Sequence, residues 1–317
     1  MTPAAEAVER FAADLDVLVP AATFIGVAVS GGPDSLALLL LAAAARPGEI
    51  EAATVDHGLR LESADEAAMV ASLCAKLGVP HRTLVAEWSA PPRSNIQAEA
   101  RAMRYRLLND WAIERGLSAI ATAHHADDQA ETLMMRLARG AGVGGLGGTK
   151  VRRALSEEVT LMRPLLGWRK ATLAAVVDSA GIEAVDDPAN RDPRHDRSRI
   201  RKWLASSDWA DPARLAASAS ALRDADEALD WALAPLLSSR IRRDAETLVI
   251  EPFDLPRELK RRLLLAAIAE LGAPAPRGPD LMRAMDAIEE GAAVTLSGLK
   301  LEGGTHWRLS PAPPRRI

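Results

Sequence analysis

The hexapeptide Ser30-Gly31-Gly32-Pro33-Asp34-Ser35 joins an apolar run, Phe24 to Val29, to a second one, Leu36 to Ala45, and no other stretch constrains the fold as much. The first run has the length of a buried strand and the second that of a buried helix, so the local order is strand, glycine turn, helix. Adjacent glycines let the turn aim its N–H groups in one direction, and the following helix adds unpaired amides and the positive end of its dipole. Such a turn can hold phosphate, although Gly-Gly before a helix is as often plain turn chemistry. Its composition favours phosphate: the hydroxyls of Ser30 and Ser35 flank the glycines, and Asp34 stands where a phosphate-bound metal needs an oxygen ligand. The Lys-Ser/Thr ending of a Walker A loop is missing, as is the third glycine of a dinucleotide fingerprint. That argues against P-loop NTPases and hydride-transfer enzymes.

Ser-Gly-Gly-x-Asp-Ser after the first strand resembles the pyrophosphate loop of the N-type ATP pyrophosphatases. These enzymes cleave ATP between its α and β phosphates to adenylate an oxygen of a substrate, and they include small-molecule synthetases and several tRNA-modifying enzymes. The loop alone does not choose among them.

A chain of 317 residues exceeds one comfortable hydrophobic core, so two domains are expected. The longest apolar run is closed by Arg46-Pro47-Gly48, which leaves no stretch able to span a membrane, and the first residues lack the basic-then-apolar order of a signal peptide. A cytoplasmic location is the expectation. Cys74 is the single cysteine and lies in a helical apolar pattern with Val70 and Leu77, so packing is its expected role. One cysteine cannot supply the metal cluster or disulfide relay of sulfur-transferring relatives. The net charge of −4 does not advertise nucleic-acid binding, but steering depends on where charge lies.

Along the chain, strands are expected at 50–56, 82–87, 118–123 and 159–166, alternating with helices at 63–77, 94–115, 133–139 and 168–180. The alternation predicts an α/β fold: a Rossmann-like parallel sheet with helices on both faces and ligands at the carboxyl ends of the strands, where Ser30, Asp56 and His124 all fall. The segment 140–148 holds six glycines in nine residues, and composition fits either a mobile substrate loop or a surface linker. A polar segment, Asp186 to Lys202, closes the first domain, predicted to span 1–207. The rest, 208–317, reads as a smaller, mainly helical domain with helices at 212–229, 233–243, 257–271 and 279–290 and a terminal hairpin at 295–309.

The second constellation is His124-His125-Ala126-Asp127-Asp128-Gln129-Ala130-Glu131-Thr132. His124, Asp128 and Glu131 follow i, i+4, i+7 and share one face wherever the segment is helical. Two carboxylates beside a strand end can bind an ammonium group, whereas Asp127 reads equally well as a dipole partner. Residues 191–202 hold six Arg or Lys in twelve; such a cluster is usually a solvated face, but its arginines also suit phosphates and a flipped base. Two further basic runs, Arg240 to Arg243 and Lys260 to Arg262, lie in the second domain.

Several ordered motifs narrow the resemblance to the tRNA(Ile)-lysidine synthases. Val55-Asp56-His57-Gly58-Leu59-Arg60 matches that family's Val-Asp-His-x-Leu-Arg, and the run from His124 to Thr132 matches its His-x-x-Asp-Asp-x-x-Glu-Thr. Ala100-Arg101 with Arg104-Tyr105, Arg139-Gly140-Ala141-Gly142, Arg163-Pro164-Leu165-Leu166 and Asp187-Pro188-Ala189-Asn190 match as well. One departure is Ser198, where the family's basic segment has asparagine. The resemblance implies an ATP-dependent ligase that adenylates the wobble cytidine of tRNA(Ile) with a CAU anticodon at its C2 oxygen and then joins free L-lysine, forming lysidine. By the same resemblance Ser30, Gly31, Gly32, Pro33, Asp34, Ser35 and Asp56 bind ATP, Asp34 holds Mg2+, and Asp128, Glu131, His124 and Arg101 serve lysine and catalysis. An amide or amidine synthetase with the same ATP chemistry, or a non-catalytic nucleotide sensor, are the alternatives. The oligomeric state is left open, with a homodimer the one assembly considered.

Overall fold

The computed structural model describes residues 2–58, 62–88, 96–185 and 196–313. Leu59, Arg60, Ser94 and the whole Asp187-Pro188-Ala189-Asn190 motif with Arg191 lie outside the described residues. The chain divides into two compact units, residues 1–140 with 145–221, and residues 141–144 with 222–317.

The first unit contains α1 (Ala5–Asp16), β1 (Ile25–Ala28), α2 (Pro33–Ala45), β2 (Ile50–Asp56), α3 (Glu62–Leu77), β3 (His81–Val85), α4 (Ile96–Arg115), β4 (Ala119–Ala121) and α5 (Ala126–Leu137). After a short α6 (Val143–Leu146) come β5 (Arg152–Ala154), β6 (Thr160–Met162), α7 (Lys170–Ser179), α8 (Asp196–Ala205) and the first turns of α9 (Pro212–Arg240). The sheet order is β3-β2-β1-β4-β6-β5, all parallel except the edge strand β5. The Rossmann-like α/β expectation therefore holds.

Both faces of this sheet are covered because the strands are apolar on both sides. Ile25 and Val27 pack under α1, α2 and α7, with Leu36 to Leu41 of α2 almost wholly buried. Ala53 and Ile120 face the other way, onto Leu108, Trp111 and Ala112 of α4. Gly26 lies in mid-strand because a Cβ there would stand 2.7 Å from the Trp111 ring. Cys74 is buried in the first of these layers, and burial pushes its thiol up to about 12, as a packing role requires. Helix α1 is not among the elements expected from sequence; its Phe11 and Leu15, four residues apart, are its buried stripe.

The second unit holds the remainder of α9, then β7 (Ile241–Asp244), β8 (Thr247–Ile250), α10 (Arg257–Glu270), α11 (Gly278–Glu289), β9 (Ala293–Leu296), β10 (Leu299–Glu302) and β11 (Trp307–Pro311). Its five strands form an antiparallel sheet in the order β7-β8-β11-β10-β9, so the expected terminal hairpin is part of a larger sheet. Residues 241–243, expected at the end of a helix, pair instead with β8. Helix α9 is continuous through Pro235, where the sequence predicts two helices, because Leu233 and Leu236 on either side of the proline pack on the core of α10, α11 and the sheet. Arg262, buried on α10, joins Glu258 of its own helix to Asp226 and Asp230 of α9. The first compact unit runs past the expected boundary at Ser207 as far as Ala221: Leu204, Ala210 and Leu215 pack with Ala130 and Met134 of α5, which keeps α8 and the start of α9 with it.

Candidate active site

In this strand order the direction of winding reverses between β1 and β4, and a crevice opens at their carboxyl ends. The loop after β1 forms one wall. Gly31 has φ +83°, a conformation that favours glycine, and Gly32 caps α2 with Pro33 in its first turn. Ser35 Oγ donates to Gly32 O at 2.9 Å, accepts from Ser30 N at 3.1 Å and lies 3.2 Å from Ser30 Oγ. Both hydroxyls thus brace the turn at the N-terminus of α2. Pro33 lines the crevice but has no amide to offer a phosphate.

The opposite wall is built after β4. Helix α5 begins at Ala126, so His124 precedes the helix and does not share a helical face with Asp128 and Glu131 as the spacing suggested. His125 is the N-cap: its Nδ1 accepts from Asp128 N, and its own N donates to Asp128 Oδ2 at 3.2 Å. Its Nε2 lies 3.4 Å from Asp34 Oδ2 and 3.6 Å from Asp128 Oδ2. Burial pulls the His125 pKa down, but the Asp34 hydrogen bond and the charges of Asp128, Asp34 and Asp127 outweigh it, and the net shift is upward. Asp34 Oδ1, by contrast, is buried without a hydrogen-bond partner.

His124 lines the crevice with Nδ1 3.2 Å from Thr122 Oγ1. Burial, reinforced by Arg163, Arg101 and Arg197, depresses its pKa to about 4 against the pull of Asp128, so it is neutral at pH 7. Burial alone would raise the Asp128 carboxyl; the charges of His125 and Arg197 and the hydrogen bond from His125 N reverse that and hold it low, hence ionised.

Asp128 and Glu131 part company here. Asp128 lines the crevice, with Arg197 Nη2 at 3.1 Å from its Oδ1. Glu131 is only 2% exposed and lies under α8, accepting from Arg197 Nε at 2.7 Å and from Arg201 Nε at 2.6 Å. The two acids do share a face of α5, but α8 covers the Glu131 end of it. Asp127 has a third role: its Oδ2 accepts from Lys170 N at 2.8 Å and so caps α7 rather than its own helix.

Of the other expected residues, Arg101 of α4 lines the crevice, stacked 5.0 Å above the Tyr105 ring. Asp56 sits at the end of β2 but outside the crevice lining. Its Oδ1 accepts from Ser63 Oγ at 2.6 Å and Gly58 N at 2.8 Å, bonds that lower its pKa and commit it to the turn after β2. The glycine-rich segment is held at its distal end: Arg136 Nη1 donates to Gly145 O and Gly148 O, and Gln129 bonds both backbone groups of Thr149. Two residues that the sequence does not single out also shape the crevice: His125, buried behind its wall, and Lys170, in its lining. The first is legible as a cap followed three residues later by an acid; nothing local marks the second.

The crevice encloses about 800 Å³, and among the described residues it is lined by five basic side chains, Arg101, Arg104, Lys170, Arg197 and Arg201, against three acids, Asp34, Glu66 and Asp128. An acidic chain therefore carries a cationic cleft, suited to polyanions.

A braced glycine turn at the N-terminus of a helix, at the switch point of a parallel sheet, defines an ATP-binding PP-loop domain, and the PP-loop domain family model matches residues 3–207. A U34-tRNA thiolase from Methanococcus maripaludis shares the fold, with a TM-score of 0.58 at 18% identity over 68% of this chain and 77% of that one. The tRNA(Ile)-lysidine synthase of Novosphingobium aromaticivorans is 48% identical over 98% of this chain and 95% of its own, and that of Zymomonas mobilis 43% identical over 92% and 89%. The chain belongs to the tRNA(Ile)-lysidine synthase family.

Proposed function

We propose that this protein ligates free L-lysine to C2 of the wobble cytidine of tRNA(Ile) bearing a CAU anticodon, in the cytoplasm, releasing AMP and pyrophosphate. The observation that carries the reading is the His125 bridge, which sets the phosphate turn and the acid Asp128 on facing walls of one cationic cleft. No helix among the described residues is long and apolar enough to cross a membrane.

In the first step the cytidine O2 attacks the α-phosphorus of ATP, and the bond to the bridging oxygen of pyrophosphate breaks. The turn at 30–35 positions the leaving phosphates, and Arg101 and Lys170 offset their charge. The orphaned Asp34 Oδ1 fits one carboxylate ligand of Mg2+. Among the described residues no set of three His, Cys, Asp or Glu could hold a metal, so phosphate and water oxygens would complete its shell. Bound there, the ion would neutralise phosphate charge.

In the second step the ε-amine of lysine, having released a proton to solvent, attacks C2, and the C2–O bond breaks so that AMP leaves with that oxygen. Asp128 receives a lysine ammonium, and neutral His124 beside it adds no repulsion. Glu131 can reach the amino acid only when Arg197 or Arg201 is drawn to another anion, and the phosphates of ATP or tRNA are such anions. Both substrates held in one cleft remove much of the entropic barrier.

A small-molecule synthetase or a nucleotide sensor would need no RNA. Incubation with ATP, labelled lysine and total tRNA tests the reading: label should enter tRNA only with ATP present, and ATP–pyrophosphate exchange should require tRNA. Exchange at full rate without tRNA would make the lysidine reading untenable.

A further inference from the structure

Helix α8 turns two different faces to its surroundings. Ile200 and Leu204 pack on α5, and Arg197 and Arg201 reach its acids. The opposite stripe carries Arg199 and, four residues on, Trp203. Trp203 is 39% exposed, and just past the helix Trp209 is 77% exposed. The two indoles meet edge to face, with ring centroids 5.7 Å apart and planes at 76°. That packing fixes Trp209 while leaving most of it open to solvent. Exposing two large aromatic side chains together is costly for a surface with no partner.

Cations frame the pair. Arg199 is 71% exposed and Lys202 is exposed beside it, while Asp196 already faces two arginines, Arg139 at 3.3 Å and Arg199 at 3.5 Å. Of the acids beside Trp209 in the chain, Asp211 is held by Arg169 at 2.9 Å, and Asp208 is exposed. A rigid indole with cations one turn away matches an unpaired nucleotide, whose base offers a π face and whose backbone offers flanking phosphates. Self-association through the indoles would instead bring Arg199 and Lys202 of two copies towards each other.

We infer that the Trp203–Trp209 pair is a stacking platform for an unpaired base of the substrate tRNA, with Arg199 and Lys202 taking the adjacent phosphates. The inference rests on the tRNA reading above and adds a second RNA-binding surface on the face of α8 turned away from the cleft. Stacking and phosphate binding differ in their response to salt, because only the latter releases counterions.

The test is filter binding of an unmodified tRNA(Ile) transcript with a CAU anticodon over a series of salt concentrations. Trp209→Ala should weaken binding about tenfold with an unchanged log–log salt slope, and Trp209→Phe should restore most of the affinity. Arg199→Ala with Lys202→Ala should flatten the slope by about 0.7 to 0.9 for each phosphate no longer neutralised. Affinity for a fully paired RNA hairpin stem should not change in Trp209→Ala. Wild-type affinity for the tRNA in Trp209→Ala overturns the platform and leaves the tRNA reading intact, and so does an equal weakening on the paired stem. A Trp209→Ala protein that binds tRNA normally but sediments as a smaller species overturns it in favour of a second copy. A wild-type protein that binds no tRNA at any salt overturns both.

Discussion

His125 Nε2 lies 3.4 Å from Asp34 Oδ2, so the cap of α5 and the glycine turn after β1 are coupled through one buried imidazole. The other oxygen of Asp34 has no hydrogen-bond partner. Asp34→Ala should therefore lower turnover by at least about a hundredfold, the loss typical of a preorganised charge-stabilising group, while the protein stays folded and loses only the stability of one hydrogen bond to His125, about 1–3 kcal/mol. Steady-state rates with Mg2+ and a melting curve check this; near-normal activity would remove Asp34 from the chemistry.

The same pairing sets a pH dependence. The folded-state pKa of His125 lies above its ordinary 6.5, so its contribution to stability is complete below pH 6.5 and is lost as pH rises through the folded value. His124, depressed to about 4, and His81, lowered by burial, act in the opposite sense and lose stability as pH falls below 6.5. In His125→Gln the decline on the alkaline side should vanish and the acid-side decline remain. Melting temperatures measured from about pH 5 to 9 show both limbs. An unchanged alkaline limb would mean that the imidazole is not charged in the folded protein.

Asp128 and Glu131 should separate by experiment. Glu131→Gln leaves two half-exposed arginines facing a neutral amide under α8 and should cost roughly 1–3 kcal/mol of stability, the range for losing charged hydrogen bonds of which only the carboxylate end is buried. Asp128→Asn should raise the KM for lysine more and the urea midpoint should move less. The reverse ordering would place Glu131, not Asp128, against the amino acid.

Gly26→Ala tests the packing behind the site. Its Cβ would stand 2.7 Å from a Trp111 ring whose indole N–H donates to Glu51, so the ring cannot simply swing away. A loss of about 1–3 kcal/mol is expected from such overpacking, read by urea unfolding and by a shift in tryptophan emission. Unaltered stability would show that the layer between β1 and α4 yields more readily than close packing allows.

Local chemistry was enough to place much of this protein. Apolar runs of strand and helix length, broken by glycine and proline, put β1, β2 and β4 in a parallel sheet, and with them Ser30 and His124 at strand ends. Such patterns are legible because periodicity and turn geometry depend on neighbours in the chain. Beyond the reach of sequence were the pairings that redistribute charge. Glu131 and Arg197 are 66 residues apart, and only the packing of Leu204 and Ile200 on α5 brings them together and takes Glu131 out of the cleft. Likewise Ile241 to Asp244 suits a helix as well as a strand, and the pairing with β8 decides it. Charge pairing and edge pairing are settled by which elements the chain brings side by side, and that depends on the whole core.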